Sequence, residues 1–111
     1  MKIEYNKQRR VLIVHTDSEI DHHSATRMRI RIDDEFIRTR AEHIIFDFSD
    51  LKFMDSSGIG LIIGRYRLIR PLSGKIVLVG VSEQIDRIIS LSGVYKLAEW
   101  AKNTEEALAQ I

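Results

Sequence analysis

Ile44-Ile45-Phe46-Asp47-Phe48, followed after a short connection by Asp55-Ser56-Ser57-Gly58-Ile59-Gly60-Leu61-Ile62-Ile63-Gly64, is the stretch that decides the fold class. The first run is apolar and branched, as in a strand buried on both faces. The second opens with three residue types that cap helices, then continues as a helix to about Arg70, where Pro71 stops it. A buried strand leading into a helix of this length requires a crossover before the next parallel strand.

The flanking sequence repeats that order. Residues 2–6 and 10–16 read as two strands across a polar turn, and Val11-Leu12-Ile13-Val14 is a second run apolar enough to be buried on both faces. Residues 17–24 read as a polar loop. Ala25, Met28, Ile32 and Phe36 then fall at spacings of three and four, one stripe of an amphipathic helix. Its charged remainder, including Asp34 and Arg38 at i,i+4, reads as a solvated face. Residues 75–80 form a further buried strand. Ser82 caps a third helix that carries Ile85, Ile88 and Ile89 on one face and ends at Gly93. A short strand is expected within residues 95–100, with Trp100 as a core or lid residue, and Thr104 is expected to cap a last helix through Leu108. These elements predict a single α/β domain over residues 1–111: a mixed sheet of four to five strands with about four helices.

Bulk composition narrows the function classes. The chain has 111 residues, 44% hydrophobic and 30% charged, the balance of one ordinary globular domain. There is no cysteine, which excludes disulfides and cysteine-rich zinc sites and fits a cytoplasmic setting. Seventeen basic and sixteen acidic residues leave a formal charge of +1, no bulk attraction to nucleic acid or anionic lipid. The uncharged run over residues 56–64 falls far short of the ~20 residues a membrane helix needs. No long apolar stripe is left over, so a monomer is expected.

The chemistry concentrates at residues 55–64. Asp55, Ser56 and Ser57 are all competent caps, although one cap needs only one of them. Gly58, Gly60 and Gly64 each cost ~1 kcal/mol relative to alanine inside a helix. Close packing on the sheet is the expected reason for Gly60 and Gly64, and close approach of a macromolecule for Gly58. A helix start presents free N–H groups and partial positive charge, which can hold a phosphate. Phosphorylation of Ser56 would add about −1.5 to −2 charges there, leaving the fold intact while repelling whatever docks on Gly58 and Ile59. A neighbouring carboxylate, Asp55 or Asp21, would orient the accepting hydroxyl.

Phe53-Met54-Asp55-Ser56-Ser57-Gly58-Ile59-Gly60 resembles the signature of the anti-sigma factor antagonists, the bacterial STAS-domain family. Glu19-Ile20-Asp21-His22-His23 resembles the family's other marked loop, and Gly64-Arg65-Tyr66 follows at the family's interval, with particular similarity to the antagonists of sporulation. Ser18 stands where the family usually has glycine, which bears on the backbone shape of that turn. The resemblance implies a STAS-like fold and a partner-switching cycle. The unmodified protein binds an anti-sigma factor that is also a serine kinase, and so frees the sigma factor. The kinase phosphorylates Ser56 and releases its target, and a serine phosphatase restores it. Asp21, Ser57, Gly58 and Ile59 would form the partner surface. The resemblance implies no cofactor on the chain itself, since magnesium and ATP act through the kinase.

Other classes fit less well. A serine hydrolase elbow needs glycine two residues before the serine, where this chain has Met54. No pattern places His15, His22, His23 or His43 as a catalytic base. Asp21-His22-His23 lacks the additional carboxylates and histidines of a phosphoesterase metal centre. The Gly58, Gly60 and Gly64 spacing is one residue too long for a dinucleotide fingerprint, leaving a nucleotide-binding STAS module as an alternative. An antagonist or scaffold subunit in a general stress response is another.

Overall fold

The computed structural model describes all 111 residues. In chain order the elements are β1 (Lys2–Asn6), β2 (Val11–His15), β3 (Glu19–Ile20), α1 (His22–Thr39), β4 (His43–Asp47), β5 (Phe53–Met54), α2 (Ser56–Ile69), β6 (Ile76–Val79), α3 (Glu83–Ser92), β7 (Glu99–Ala101) and α4 (Thr104–Ala109). Single 3₁₀ turns at Arg70–Leu72 and Val94–Lys96 follow α2 and α3. Five strands form one mixed sheet in the order β1-β2-β4-β6-β7. β1 runs antiparallel to β2, and the remaining pairs are parallel.

Alternation along the central strands divides the interior in two. Leu12, Val14, Ile44, Phe46, Ile76 and Leu78 point to one side, where they meet buried residues of α1, α2 and α3. Val11, Ile13, Ile45, Val77 and Val79 point to the other, where Ala101 and Ala107 complete a smaller cluster under α4. Both faces of β2, β4 and β6 are therefore covered, which is why their sequences are continuously apolar. The predicted stripe of Ala25, Met28, Ile32 and Phe36 is the buried face of α1.

Several local expectations change. The segment expected as a loop over residues 17–24 contains β3, and α1 begins three residues before Ala25, with Asp21 as its cap. The connection before α2 holds β5. Asn103, not Thr104, caps α4, accepting from the Glu106 N–H at 2.9 Å. Arg38 pairs with Glu35 rather than Asp34. Trp100 is 54% exposed on β7, outside the core, and lines a surface groove with Val81 and Tyr95. Ile85 and Ile89 are fully buried, while Ile88 only flanks the cluster.

The outer edge of the sheet is clamped by His15. Its Nε2 lies 2.6 Å from Glu4 of β1 and its Nδ1 lies 2.7 Å from Asp47 of β4. Partial burial lowers the imidazole pKa, but the two carboxylates outweigh that and hold it above its ordinary 6.5. A folded-state pKa above the unfolded one stabilises the fold fully below about pH 6.5, and that contribution disappears as pH rises through the raised value. His43 acts in the opposite sense, because burial lowers its pKa. Comparison with His15→Gln isolates the clamp. Between about pH 6 and about pH 8, the wild type should lose more stability than His15→Gln, read as the shift in urea midpoint. Equal shifts in the two proteins would rule the clamp out.

Candidate functional site

β3 and β5 pair in parallel as a separate two-stranded ribbon, Glu19 opposite Phe53 and Ile20 opposite Met54. Ile20 and Met54 face the core, whereas Glu19 is exposed and Phe53 is 49% exposed. The residue after each strand is an aspartate that caps a helix: Asp21 for α1 and Asp55 for α2. The Asp55 N–H donates to the Ile20 carbonyl at 3.1 Å, continuing the ladder to the cap itself. Two helix starts are thereby set side by side in register.

Ser18 anchors the ribbon. Its carbonyl accepts from the Lys52 and Phe53 N–H groups at 2.7 and 3.1 Å. Ser18 is not among the residues with positive φ, so serine occupies this turn without backbone strain.

The caps are specific. The Asp21 carboxylate accepts from the Ser24 N–H at 2.9 Å, and the Ser24 hydroxyl accepts from the Asp21 N–H at 2.8 Å, a reciprocal box. The bond from Ser24 is also the main reason the Asp21 pKa is lowered. Asp55 accepts from the Ser57 N–H at 2.8 Å, and its carbonyl accepts from the Gly58 N–H at 3.0 Å. Ser56 is the first residue of α2, exposed, and its hydroxyl is bonded to neither aspartate. Both carboxylates considered for orienting that hydroxyl are instead engaged by backbone N–H groups.

The glycines divide opposite to expectation. Gly58 is buried, and a Cβ there would overlap the Met54 side chain, with Ile20 Cγ2 at 3.4 Å. It lets α2 start directly against the ribbon and presents no outer surface. Gly60 and Gly64 have nothing within 4 Å of a would-be Cβ. They open a groove of about 290 Å³ between α1 and α2, bounded also by His22, Arg29, Ser57 and Arg65. Leu61, Ile62 and Ile69 of α2 are buried, Leu61 at the wall of this groove. Burial at ~1.5–3 kcal/mol each exceeds the helix penalty of three glycines, about 3 kcal/mol in total.

Arg65 was not singled out by sequence as a buried charge. It is 7% exposed, its Nε 2.9 Å from Asp33 on α1. Burial lowers its pKa, Asp33 opposes that, and Arg29 adds to it. Only its position among apolar residues of α2 carried a signal. Phe53 was likewise not marked as a surface residue. No group of three or more His, Cys, Asp or Glu could hold a metal ion, and no helix is long and apolar enough to cross a membrane.

The comparisons agree with this arrangement. The STAS domain family matches residues 2–108. The chain belongs to the STAS-domain family of anti-sigma factor antagonists. It is 36% identical over its full length, and over 95% of the relative, to an anti-sigma F factor antagonist of Paenibacillus polymyxa. Among solved structures it matches the anti-sigma factor antagonist SpoIIAA in its unphosphorylated form, with TM-score 0.85, 29% identity and coverage of 98% of this chain and 93% of that one. It also matches the phosphorylated form of the Bacillus cell fate determinant SpoIIAA, with TM-score 0.76, 29% identity and coverage of 98% and 96%. The α/β architecture with four helices and a mixed five-stranded sheet is that of the family.

The glycine geometry has a direct consequence for this STAS domain. Gly60→Ala and Gly64→Ala should each raise stability by about 1 kcal/mol, since the methyl meets nothing and the helix gains. Gly58→Ala should lower it, because overpacking of ~1–3 kcal/mol against buried Met54 offsets that gain. Urea unfolding of the three variants checks the division; a uniform response would overturn it.

Proposed function

We propose that this STAS domain is an anti-sigma factor antagonist of the sporulation type, switched by phosphorylation of Ser56. The carrying observation is an exposed serine at the first position of a helix that the β3–β5 ribbon sets beside a second helix start. Unmodified protein binds an anti-sigma factor with serine kinase activity and frees the sigma factor. Transfer from magnesium–ATP to Ser56 releases it, and a serine phosphatase resets the cycle. The chain acts as target and binding partner rather than enzyme, works as a cytoplasmic monomer when free, and touches neither nucleic acid nor membrane.

The chemistry supports such a switch. A phosphate at Ser56 adds about −1.5 to −2 charges where helix N–H groups converge. The Asp55 carboxylate opposes it, but fixed by Ser57 it already lies beside the positive end of the helix. The helix-end interaction is of order 0.3–1 kcal/mol, so the fold tolerates the change in either direction. An approaching protein surface would have to desolvate the charge, which is the larger penalty. Half-exposed Phe53, partly buried Ile59, Ser57 and Asp21 supply apolar and polar contact around Ser56, and buried Gly58 supports them from beneath. The full-length match to an anti-sigma F antagonist favours the sporulation circuit over a stress-response one.

Ser56→Ala should stay folded, bind the kinase persistently and accept no phosphate. Ser56→Asp should bind more weakly, with a melting temperature within about 4 °C of wild type, as expected for ~1 kcal/mol in a domain of this size. Calorimetric binding and mass-spectrometric site mapping after incubation with kinase and magnesium–ATP check both. Phosphate located on Ser57 instead would refute the assignment.

A further inference from the structure

Arg65 is the one charged residue that the fold buries. Although its Nε approaches Asp33 Oδ1, the two are not aligned as a hydrogen bond, and Nε and Nη1 are sealed from solvent with no protein acceptor. A guanidinium carries five N–H donors, and buried donors are rarely left unpaired. Nη2, also without a protein acceptor, is not among the sealed atoms. The residue forms part of the groove between α1 and α2, together with His22, Thr26, Arg29, Ser57, Gly60 and Gly64.

Charge and shape in this groove point to one kind of ligand. Arg29 and Arg65 line the groove and no carboxylate does, while Asp33 contacts only the Nε of Arg65, so the groove carries excess positive charge. Only two of nine lining residues are hydrophobic, so an apolar molecule finds little to bury against. Thr26 donates its hydroxyl to the His22 carbonyl at 3.1 Å, whereas the Ser57 hydroxyl is bonded to nothing in the protein. His22 and Ser57 lie in the first turns of α1 and α2, so the positive ends of both helices converge here. We propose that this groove binds a tetrahedral oxoanion of the phosphate type, held by Arg65 at its floor, Arg29 at its rim and the Ser57 hydroxyl between them. Gly60 and Gly64 keep the entrance clear. The site borders the Ser56 switch, sharing Ser57 with its proposed contact surface, but does not require that Ser56 be modified.

A titration of ¹⁵N-labelled protein with sodium phosphate at constant ionic strength tests this, with sodium chloride and ATP as parallel arms. The amides of His22, Ser57, Gly60 and Gly64 should shift saturably, with half-saturation on the order of 1 mM, the affinity that a few charge-assisted hydrogen bonds supply. Arg29→Gln, at an exposed position, should raise that concentration about tenfold. Gly60→Glu, at an exposed helix position where a Cβ meets nothing within 4 Å, should abolish saturation by placing a carboxylate at the mouth. Both variants leave the Arg65–Asp33 contact in place, so folding does not confound them. ATP moving the same amides more tightly than phosphate identifies a nucleotide as the source of the phosphoryl group; phosphate acting as well alone identifies the free ion. Shifts that stay linear and match chloride, or saturation indifferent to Arg29→Gln and Gly60→Glu, would overturn the proposal.

Discussion

Everything at the proposed switch rests on two residue pairs, Glu19 opposite Phe53 and Ile20 opposite Met54. A parallel ribbon this short would not persist alone. It is held because Ile20 and Met54 are buried in the main core, at 0% and 2% exposure, and because the Ser18 and Ile20 carbonyls extend its ladder at both ends. Register then determines function. With each strand followed immediately by an aspartate cap, the first turns of α1 and α2 must lie side by side. A slip of one residue would turn Met54 outward and Phe53 inward and would remove the proposed partner surface.

The helix that carries Ser56 departs from good helix composition where the arrangement requires it. Gly58 is needed because Met54 occupies the space a Cβ would take, so this residue ties the start of the helix to the ribbon. Gly60 and Gly64 have no such packing reason; they lie along the open groove toward α1. One helix thus combines a close inner contact, a buried apolar side and an unobstructed outer side. Arg65 sits where these regions meet, linking α2 to Asp33 of α1 while retaining donors that the protein does not satisfy.

Much of the fold was legible in the residues. Continuous apolar runs at 11–14, 44–46 and 76–79 marked the doubly covered strands, and the spacing of Ala25, Met28, Ile32 and Phe36 marked the inner face of α1. These signals are local and periodic, so they survive without knowledge of the fold. The ribbon was missed because two-residue strands have no periodicity to read; both lay inside segments that looked like polar connections. The cap of α1 was missed with it, since Asp21 reads as a cap only once the chain before it is extended. Trp100 misled because its size suggests burial, whereas its strand lies at the edge of the sheet.

The amino-acid order by itself determined which segments would be strands and helices, that strand–helix–strand crossovers would make the sheet largely parallel, and that Ser56 would stand at a helix start. Those outcomes follow from side-chain period, capping chemistry and the stop at Pro71, all set within a few residues of one another. Only the tertiary structure decided that Asp21 and Asp55 would be neighbours, that Gly58 would face inward while Gly60 and Gly64 faced the groove, and that Arg65 would be buried against Asp33. All depend on contacts between segments about thirty residues apart, Gly58 through the seating of its neighbour Met54 beside Ile20, and their meeting is fixed by how the two helices pack on the sheet and not by either segment's own composition.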